Sequence, residues 1–164
     1  MPEVITNTSP LQYLFQLDLL DLLPQLYQEV LVPEGVVREL RSGVDRGVSL
    51  PDFSSLTWLR VRKVRSAAVL PLAAGLGLGE REVLGLALEL DSPLVILDDA
   101  VARRFARRLN LPLTGTLGLL LKAKQCGRID QVGPYLDRLE ALRFRLDATT
   151  RAGILELANE GETG

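Results

Sequence analysis

Oxygen-donor side chains that could bind a hard metal ion follow two short apolar runs of the sequence. Asn7 follows EVIT, and the pair Asp98-Asp99 follows LVIL. Both runs are predicted strands, and the ligands of an open α/β sheet gather beyond the carboxyl ends of its strands. We therefore expect these side chains, although far apart in the sequence, to lie at one edge of a sheet.

Two glutamates on predicted helices point toward the same buried side of the molecule. Glu39 follows Val36 by three residues in PEGVVREL, and Glu80 precedes Val83 by three in GEREVLGLALEL, so both lie on or beside an apolar stripe. Glu82 is rotated away from that stripe and is expected to be solvated. Converging carboxylates are costly unless a cation lies between them, and oxygen ligands suit Mg²⁺ or Mn²⁺.

Each of these residues also has a purely structural interpretation. Asn7 is a common turn residue, and Asp98 or Asp99 is suited to cap the following helix. A negative charge such as that of Glu80 is favourable near a helix N-terminus, and Glu39 is compatible with a position at the rim of the core. One cap does not require two adjacent aspartates.

Strands and helices alternate along the chain with short links. The predicted strands are EVIT, EVLV, TWLRVRKV at an edge, LVIL and LPLTG. The predicted helices are LQYLFQLDLLDLL with Ser9 as N-cap and Pro10 as first helical residue, PEGVVRELRSG, GEREVLGLALEL, DDAVARRFARRLN, TLGLLLKAKQCG, PYLDRLEALRF and ATTRAGILELAN. This alternation predicts an α/β fold with a central, mostly parallel sheet between two layers of helices. Residues 66–79 have no clear pattern.

Composition excludes several kinds of chemistry. The chain has no histidine and one cysteine, Cys126, so Ser-His-Asp triads, histidine bases and His- or Cys-ligated zinc are excluded. A net charge of -2 is not that of a basic nucleic-acid binder. We expect a reducing, cytoplasmic compartment and no signal peptide or membrane span. The hydrophobic content of 47% predicts a large core, or an apolar surface that a partner or second copy covers.

Taken in order, these residues resemble the PIN-domain family, and most closely its VapC-like toxins. The family's Asp-Thr-Ser turn after the first strand is similar to residues 7–9, and its helical Glu after a strand ending in Pro is similar to Glu39. An acid seven residues before an alanine corresponds to Glu80 and Ala87. The acid after the fourth strand corresponds to Asp99. The stretch LNLPLTGTLGLLLKAKQCGRI resembles a PIN-like subfamily of largely unassigned function.

The resemblance implies a three-layer α/β/α PIN-like fold and a metal-dependent endoribonuclease that hydrolyses RNA phosphodiesters with carboxylate-bound Mg²⁺ or Mn²⁺. It implies one domain over residues 1–164, with a core of about 3–145 and a helical extension of about 146–160. It also implies a small antitoxin partner and a homodimer. The implied catalytic residues are Asn7, Glu39, Glu80 and Asp99, with Asn7, Glu80, Asp98 and Asp99 as metal ligands and Thr8, Ser9 and Thr116 as supporting polar residues.

Two departures from the family pattern leave an alternative open. The family usually has Asp where Asn7 and Glu80 stand, and both changes predict weaker metal binding. The alternative is a weak or inactive module that binds RNA or a protein. A receiver-like signalling domain is less favoured, because its acid pair would follow the first strand. Arginines on one predicted helix are either an RNA-backbone patch or a solvated face, namely Arg103, Arg104, Arg107 and Arg108. Thr116 is expected to cap the next helix.

Overall fold

A parallel sheet of short strands forms the centre of the computed structural model, which describes residues 2–65 and 75–161. The strands are β1 Val4–Thr6, β2 Val30–Val32, β3 Leu59–Val61, β4 Leu94–Ile96 and β5 Leu113–Thr114. Within the described ranges they pair in the order β3-β2-β1-β4-β5, and every pairing is parallel. Both β1 and β2 are buried along their whole length, which is typical of central strands covered on both faces.

Helices connect the strands and complete the three-layer α/β/α class predicted from the sequence, which is confirmed. The described residues form α1 Thr8–Gln16, α2 Leu22–Tyr27, α3 Glu34–Asp45, α4 Leu78–Glu89, α5 Ala100–Arg108, α6 Thr116–Gln125, α7 Gly133–Ala141 and α8 Ala148–Leu157. A 3-10 turn, Phe53–Ser55, precedes β3. Of the stretch without a clear sequence pattern, residues 66–74 lie outside the described residues.

The first predicted helix was wrong in its start and in its length. Asn7, not Ser9, is the N-cap of α1, with extended backbone angles of φ -89 and ψ 177. The helix then ends near Asp18, whose φ of 59 lies in the left-handed region, and the chain starts α2 after a turn. A residue with positive φ cannot continue a right-handed helix, so one continuous apolar pattern covers two helices.

The chain divides into two compact units, Met1–Gly115 and Thr116–Gly164. The first holds the sheet and α1 to α5, and its core is built from fully buried residues such as Ile5, Leu11 and Leu97. In the second unit, the Glu160 carboxylate accepts hydrogen bonds from the Val132 and Gly133 N–H groups at 2.8 and 3.0 Å. The predicted single-domain organisation stays a prediction.

Candidate active site

The carboxyl ends of β1 and β4 lie side by side where the connections of the sheet change direction. From β1 the chain continues to β2 and β3 on one side of the sheet, and it then returns to add β4 and β5 on the other side. Ligands of open α/β sheets bind in the crevice at such a point. Asn7 follows β1, and Asp98 and Asp99 follow β4, so the structure places these residues at the same edge.

Asn7 carries a buried oxygen that the fold does not use. Its N–H donates to the Ile96 carbonyl of the neighbouring strand at 3.2 Å, and the residue is only 3% exposed. Its side chain makes no cap hydrogen bond to α1, and Oδ1 has no hydrogen-bond partner in the described part of the chain. A buried acceptor without a partner costs about 1–3 kcal/mol. This cost is explained if a ligand completes the site.

Glu80 and Asp99 are electrostatic neighbours at the starts of two helices. Burial raises the pKa of Glu80 above its ordinary value, the negative charges of Asp99 and Glu39 raise it further, and a hydrogen bond from the Gly77 N–H lowers it. That bond, at 3.3 Å, ties Glu80 to the N-cap residue of α4. Asp99 caps α5, because its Oδ2 accepts from the Ala102 N–H at 2.9 Å. Both acids therefore support helix termini while facing each other's charge.

Glu39 lies on α3 and joins the starts of α1 and α4. The Thr8 hydroxyl at the first residue of α1 donates a hydrogen bond to Glu39 Oε2. The Gly79 N–H in the first turn of α4 donates to Glu39 Oε1 at 3.1 Å. Since Gly79 immediately precedes Glu80, the charge of Glu39 lies close enough to raise the Glu80 pKa. Thr8 therefore contacts Glu39 directly, and its supporting role at the site stays a prediction.

The two adjacent aspartates have different surroundings. Burial raises the pKa of Tyr13, and the negative charge of Asp98 raises it further. Burial and the charge of Arg107 lower the pKa of Arg103, whereas Asp98 opposes that change. A Cβ built on Gly115 would lie 2.8 Å from both Asp98 Oδ1 and Arg103 Nη1. Asp98 therefore lies among Tyr13, Arg103 and Gly115, while Asp99 faces Glu80.

The arginines of α5 differ in how far they are exposed to solvent. Arg103 is partly buried and donates from Nη1 to the Leu97 carbonyl at 2.8 Å. The other three, Arg104, Arg107 and Arg108, are exposed. An RNA-backbone role therefore remains open for the exposed three, whereas Arg103 is bound within the fold. Two of the polar residues predicted to support the site lie at helix starts. Ser9 is the second residue of α1, and the buried Thr116 is the first residue of α6.

Glu82 is a functional candidate that the sequence pattern missed. The periodicity of α4 predicted a solvated side chain, which is wrong, since the Glu82 side chain is only 15% exposed. Its Oε2 accepts from the Gly35 N–H in the first turn of α3 at 2.6 Å, and its Oε1 lies 3.4 Å from Arg38 Nη2. The helical wheel failed because the neighbour on that side is another helix rather than solvent. A glycine in a first helical turn, as at Gly35, is the sequence signal that could have found this contact.

The donor set fits a metal ion that keeps part of its water shell. Among residues 2–65 and 75–161, no three His, Cys, Asp or Glu side chains are grouped closely enough to hold one ion. Two carboxylates, Glu80 and Asp99, are electrostatic neighbours, and the unused amide oxygen of Asn7 lies at the same edge. Mg²⁺ is commonly held by one or two carboxylates together with water and substrate phosphate. The residues present therefore fit such an ion.

An open cavity of about 840 Å³ lies away from these residues. Its described lining includes Leu86, Glu89 and Leu90 at the end of α4, together with the basic residues Arg62, Lys63 and Arg65. Glu80 lies in the first turn of the same helix, and nine residues of α-helix span roughly 13 Å. The acid-lined edge is therefore distinct from the described lining of this cavity.

A match to a known protein family covers almost the whole chain. A family model described as a PIN domain matches residues 3–160. No curated protein matches the chain. No described helix is long and apolar enough to span a membrane.

Proposed function

Because the chain belongs to the PIN-domain family, we propose that it is a divalent-metal-dependent endoribonuclease. PIN domains are generally metal-dependent nucleases. The observation that carries the proposal is the buried Oδ1 of Asn7, which has no hydrogen-bond partner among the described residues, at the edge where burial and the charge of Asp99 raise the pKa of Glu80. The family match gives no support to a receiver-like domain.

In this proposal Asn7, Glu80 and Asp99 hold Mg²⁺ or Mn²⁺. Their two negative charges balance one divalent cation, and burial together with the negative charge of Asp99 raises the pKa of Glu80. The ion, when bound, supplies a Lewis acid that activates water and stabilises negative charge on a phosphodiester. Asp98 is left out of the ligand set, since it lies beside Arg103.

The remaining residues of the site hold and orient these donors. Glu39 fixes Gly79, and through it the first turn of α4 that carries Glu80. Thr8 holds the Glu39 carboxylate from α1. The exposed Arg104, Arg107 and Arg108 bring positive charge to α5, the helix that Asp99 caps, and exposed arginines favour contact with an RNA backbone.

We further propose that the chain acts as the toxin of a type II pair, bound by a small antitoxin and present as a homodimer in the cytoplasm. The support is the resemblance to VapC-like toxins together with large exposed apolar side chains, among them Leu157 at 67% and Val61 at 48% exposure. Such side chains favour burial against a partner. The free, exposed thiol of Cys126 is compatible with a reducing compartment.

A second candidate function is a PIN module that binds RNA or protein without cutting. It is favoured by the neutral amide at Asn7 and by the structural use of every acid at the site. Glu39, Glu80 and Asp99 each accept a backbone hydrogen bond at a helix start. These acids would be kept for the fold even in a chain that had lost catalysis.

The test is cleavage of a labelled mixed-sequence RNA in Mn²⁺ and in EDTA. Asp99→Asn keeps an oxygen that can accept from the Ala102 N–H and removes only the charge. Asp147→Asn is the matched control, because Asp147 caps α8 in the same way through the Thr150 N–H at 2.7 Å. We expect Mn²⁺-dependent cleavage that falls about 100-fold or more in Asp99→Asn and is unchanged in Asp147→Asn.

Cleavage that persists in EDTA, or that is equal in Asp99→Asn and the wild type, would overturn the nuclease proposal at this site. An RNA that binds but is not cut in Mn²⁺ would establish the second candidate. In that case the same assay on Asn7→Asp asks whether one missing charge is the cause.

A further inference from the structure

Helices α3 and α4 exchange carboxylates at their first turns. Glu82 of α4 accepts from the N–H of Gly35 at 2.6 Å, and Glu39 of α3 accepts from the N–H of Gly79 at 3.1 Å. Gly35 and Gly79 are each the second residue of their helix. Each of these N–H groups lacks a partner within its own helix, so each helix supplies the acceptor that the other needs.

While the two carboxylates occupy these positions, neither glycine has room for a Cβ. A Cβ on Gly35 would lie 2.6 Å from Glu82 Oε2, and a Cβ on Gly79 would lie 2.5 Å from Glu39 Oε1. Both distances are far below van der Waals contact. The atoms met are the ends of flexible side chains, so a larger residue at either glycine would displace the carboxylate from its backbone partner.

The exchange bears on the acid site because Gly79 is joined directly to Glu80. The carboxylate of Glu80 also accepts a hydrogen bond from the Gly77 N–H at 3.3 Å. Any change in how the start of α4 sits on α3 therefore moves the residue whose carboxylate faces Asp99. Glu82 is not part of that facing pair, since its carboxylate is directed at Gly35 and Arg38.

We propose that Glu82 is a positioning residue of the acid site, which through Gly35 fixes α3 against α4 and thereby sets where Glu80 stands relative to Asp99. Glu82 contacts none of the proposed metal ligands itself and acts through the backbone at the starts of the two helices. The inference rests on the proposed function for its consequence in metal binding, but the contact itself is independent of that function.

Three variants separate the contact from the fold. Glu82→Ala removes the acceptor, Glu82→Gln keeps an oxygen for the Gly35 N–H, and Gly35→Ala displaces the carboxylate while leaving Glu82 in place. Glu34→Gln is the control, because it removes an exposed acid from the first turn of the same helix. All measurements are made below the unfolding temperature of each variant, established by circular dichroism.

The first readout is the amide resonance of Gly79 in two-dimensional ¹H–¹⁵N spectra of the metal-free chain. We expect Glu82→Ala and Gly35→Ala to shift the Gly79 and Glu80 amides, Glu82→Gln to shift them less, and Glu34→Gln to leave them in place. The second readout is Mn²⁺ affinity by titration calorimetry. We expect it to fall about tenfold or more in Glu82→Ala and to recover in part in Glu82→Gln.

Unmoved Gly79 and Glu80 amides in Glu82→Ala would overturn the proposal, and so would unchanged Mn²⁺ affinity in a folded variant with moved amides. A loss of thermal stability with both readouts unchanged would assign Glu82 a structural role alone. A wild-type chain that binds no Mn²⁺ would overturn the proposed function, and the amide shifts would still decide the positioning of Glu80.

Discussion

Replacing Asn7 by Asp adds one negative charge at the least satisfied atom of the site. Without metal, we expect Asn7→Asp to lower the stability by about 1–3 kcal/mol, because a carboxylate in a residue that is 3% exposed loses its water and gains no partner. For a chain of 164 residues each kcal/mol corresponds to about 2–4 °C in melting temperature. The metal-free variant is therefore expected to melt several degrees lower.

Mn²⁺ is expected to narrow this difference in stability. A ligand that binds only the folded state stabilises it by about 2.7 kcal/mol at 100 times its Kd and by about 4.1 kcal/mol at 1,000 times its Kd. If the added charge of Asn7→Asp tightens binding about tenfold, the variant gains about 1.4 kcal/mol more than the wild type at the same Mn²⁺ concentration. The Mn²⁺-induced rise in melting temperature is then larger by about 3–6 °C.

The assay is thermal unfolding of both proteins in EDTA and over a series of Mn²⁺ concentrations. Asn110→Asp is the matched control, because Asn110 is an exposed residue of a turn with φ 57, a conformation that Asp also tolerates. It should change neither the metal-free melting temperature nor the Mn²⁺ shift by much. An Asn7→Asp variant with the same Mn²⁺ shift as the wild type would refute the assignment of Asn7 as a ligand.

Three further substitutions test the surroundings of the site and the second unit. The raised pKa of Glu80 favours its protonated form in the folded state, so the contribution of Glu80 to stability falls as pH rises above about 4.3. Glu80→Gln should therefore raise the free energy of unfolding of the metal-free chain at neutral pH and not at pH 3. Urea unfolding at the two pH values measures this difference. Gly115→Ala should cost about 1–3 kcal/mol in the same assay, because its Cβ would lie 2.9 Å from the fixed Leu97 carbonyl oxygen. Burial raises the pKa of Glu160, but hydrogen bonds from the Val132 and Gly133 N–H groups and from the Lys124 side chain bring the net pKa below its ordinary value. The stabilisation that ionised Glu160 provides is therefore present above about pH 4.3 and lost as pH falls through the lowered pKa. Glu160→Gln should reduce the melting temperature at pH 7 and not at pH 2. Equal losses at both pH values would contradict this origin.

The strands β1 and β4 were predictable from the sequence because each is a short run of mostly apolar residues rich in β-branched side chains. EVIT and LVIL became β1 and β4 to within one residue at each end. The break between α1 and α2 was not predictable in this way, because LQYLFQLDLLDLL keeps one helical pattern across Asp18. Its positive φ is set by the turn that packs Leu17 and Leu20 into the core, which is a tertiary effect.

The site was predictable in residue type and in its place on the sheet, but not in its contacts. The order of strands alone brings Asn7 and Asp99 to one edge. The division of labour between Asp98 and Asp99 depends on which neighbour each side chain meets, Arg103 or Glu80. The burial of Glu82 depends on the approach of α3 to α4. The first of these contacts has no local signal in the sequence, and the signal for the second is Gly35 in the first turn of α3.

The double use of the acids has a consequence for tracing function across descendants of this chain. Glu39, Glu80 and Asp99 each accept a backbone hydrogen bond at a helix terminus, so a substitution that removes the acceptor oxygen carries a folding penalty of about 0.5–2 kcal/mol apart from its effect on chemistry. Selection for a folded protein alone would then preserve these acids after catalysis had been abandoned. Asn7 has no such structural duty, since its side chain caps nothing. It is therefore the position free to drift once activity is lost, and the identity of the residue there reports on activity better than the acids do.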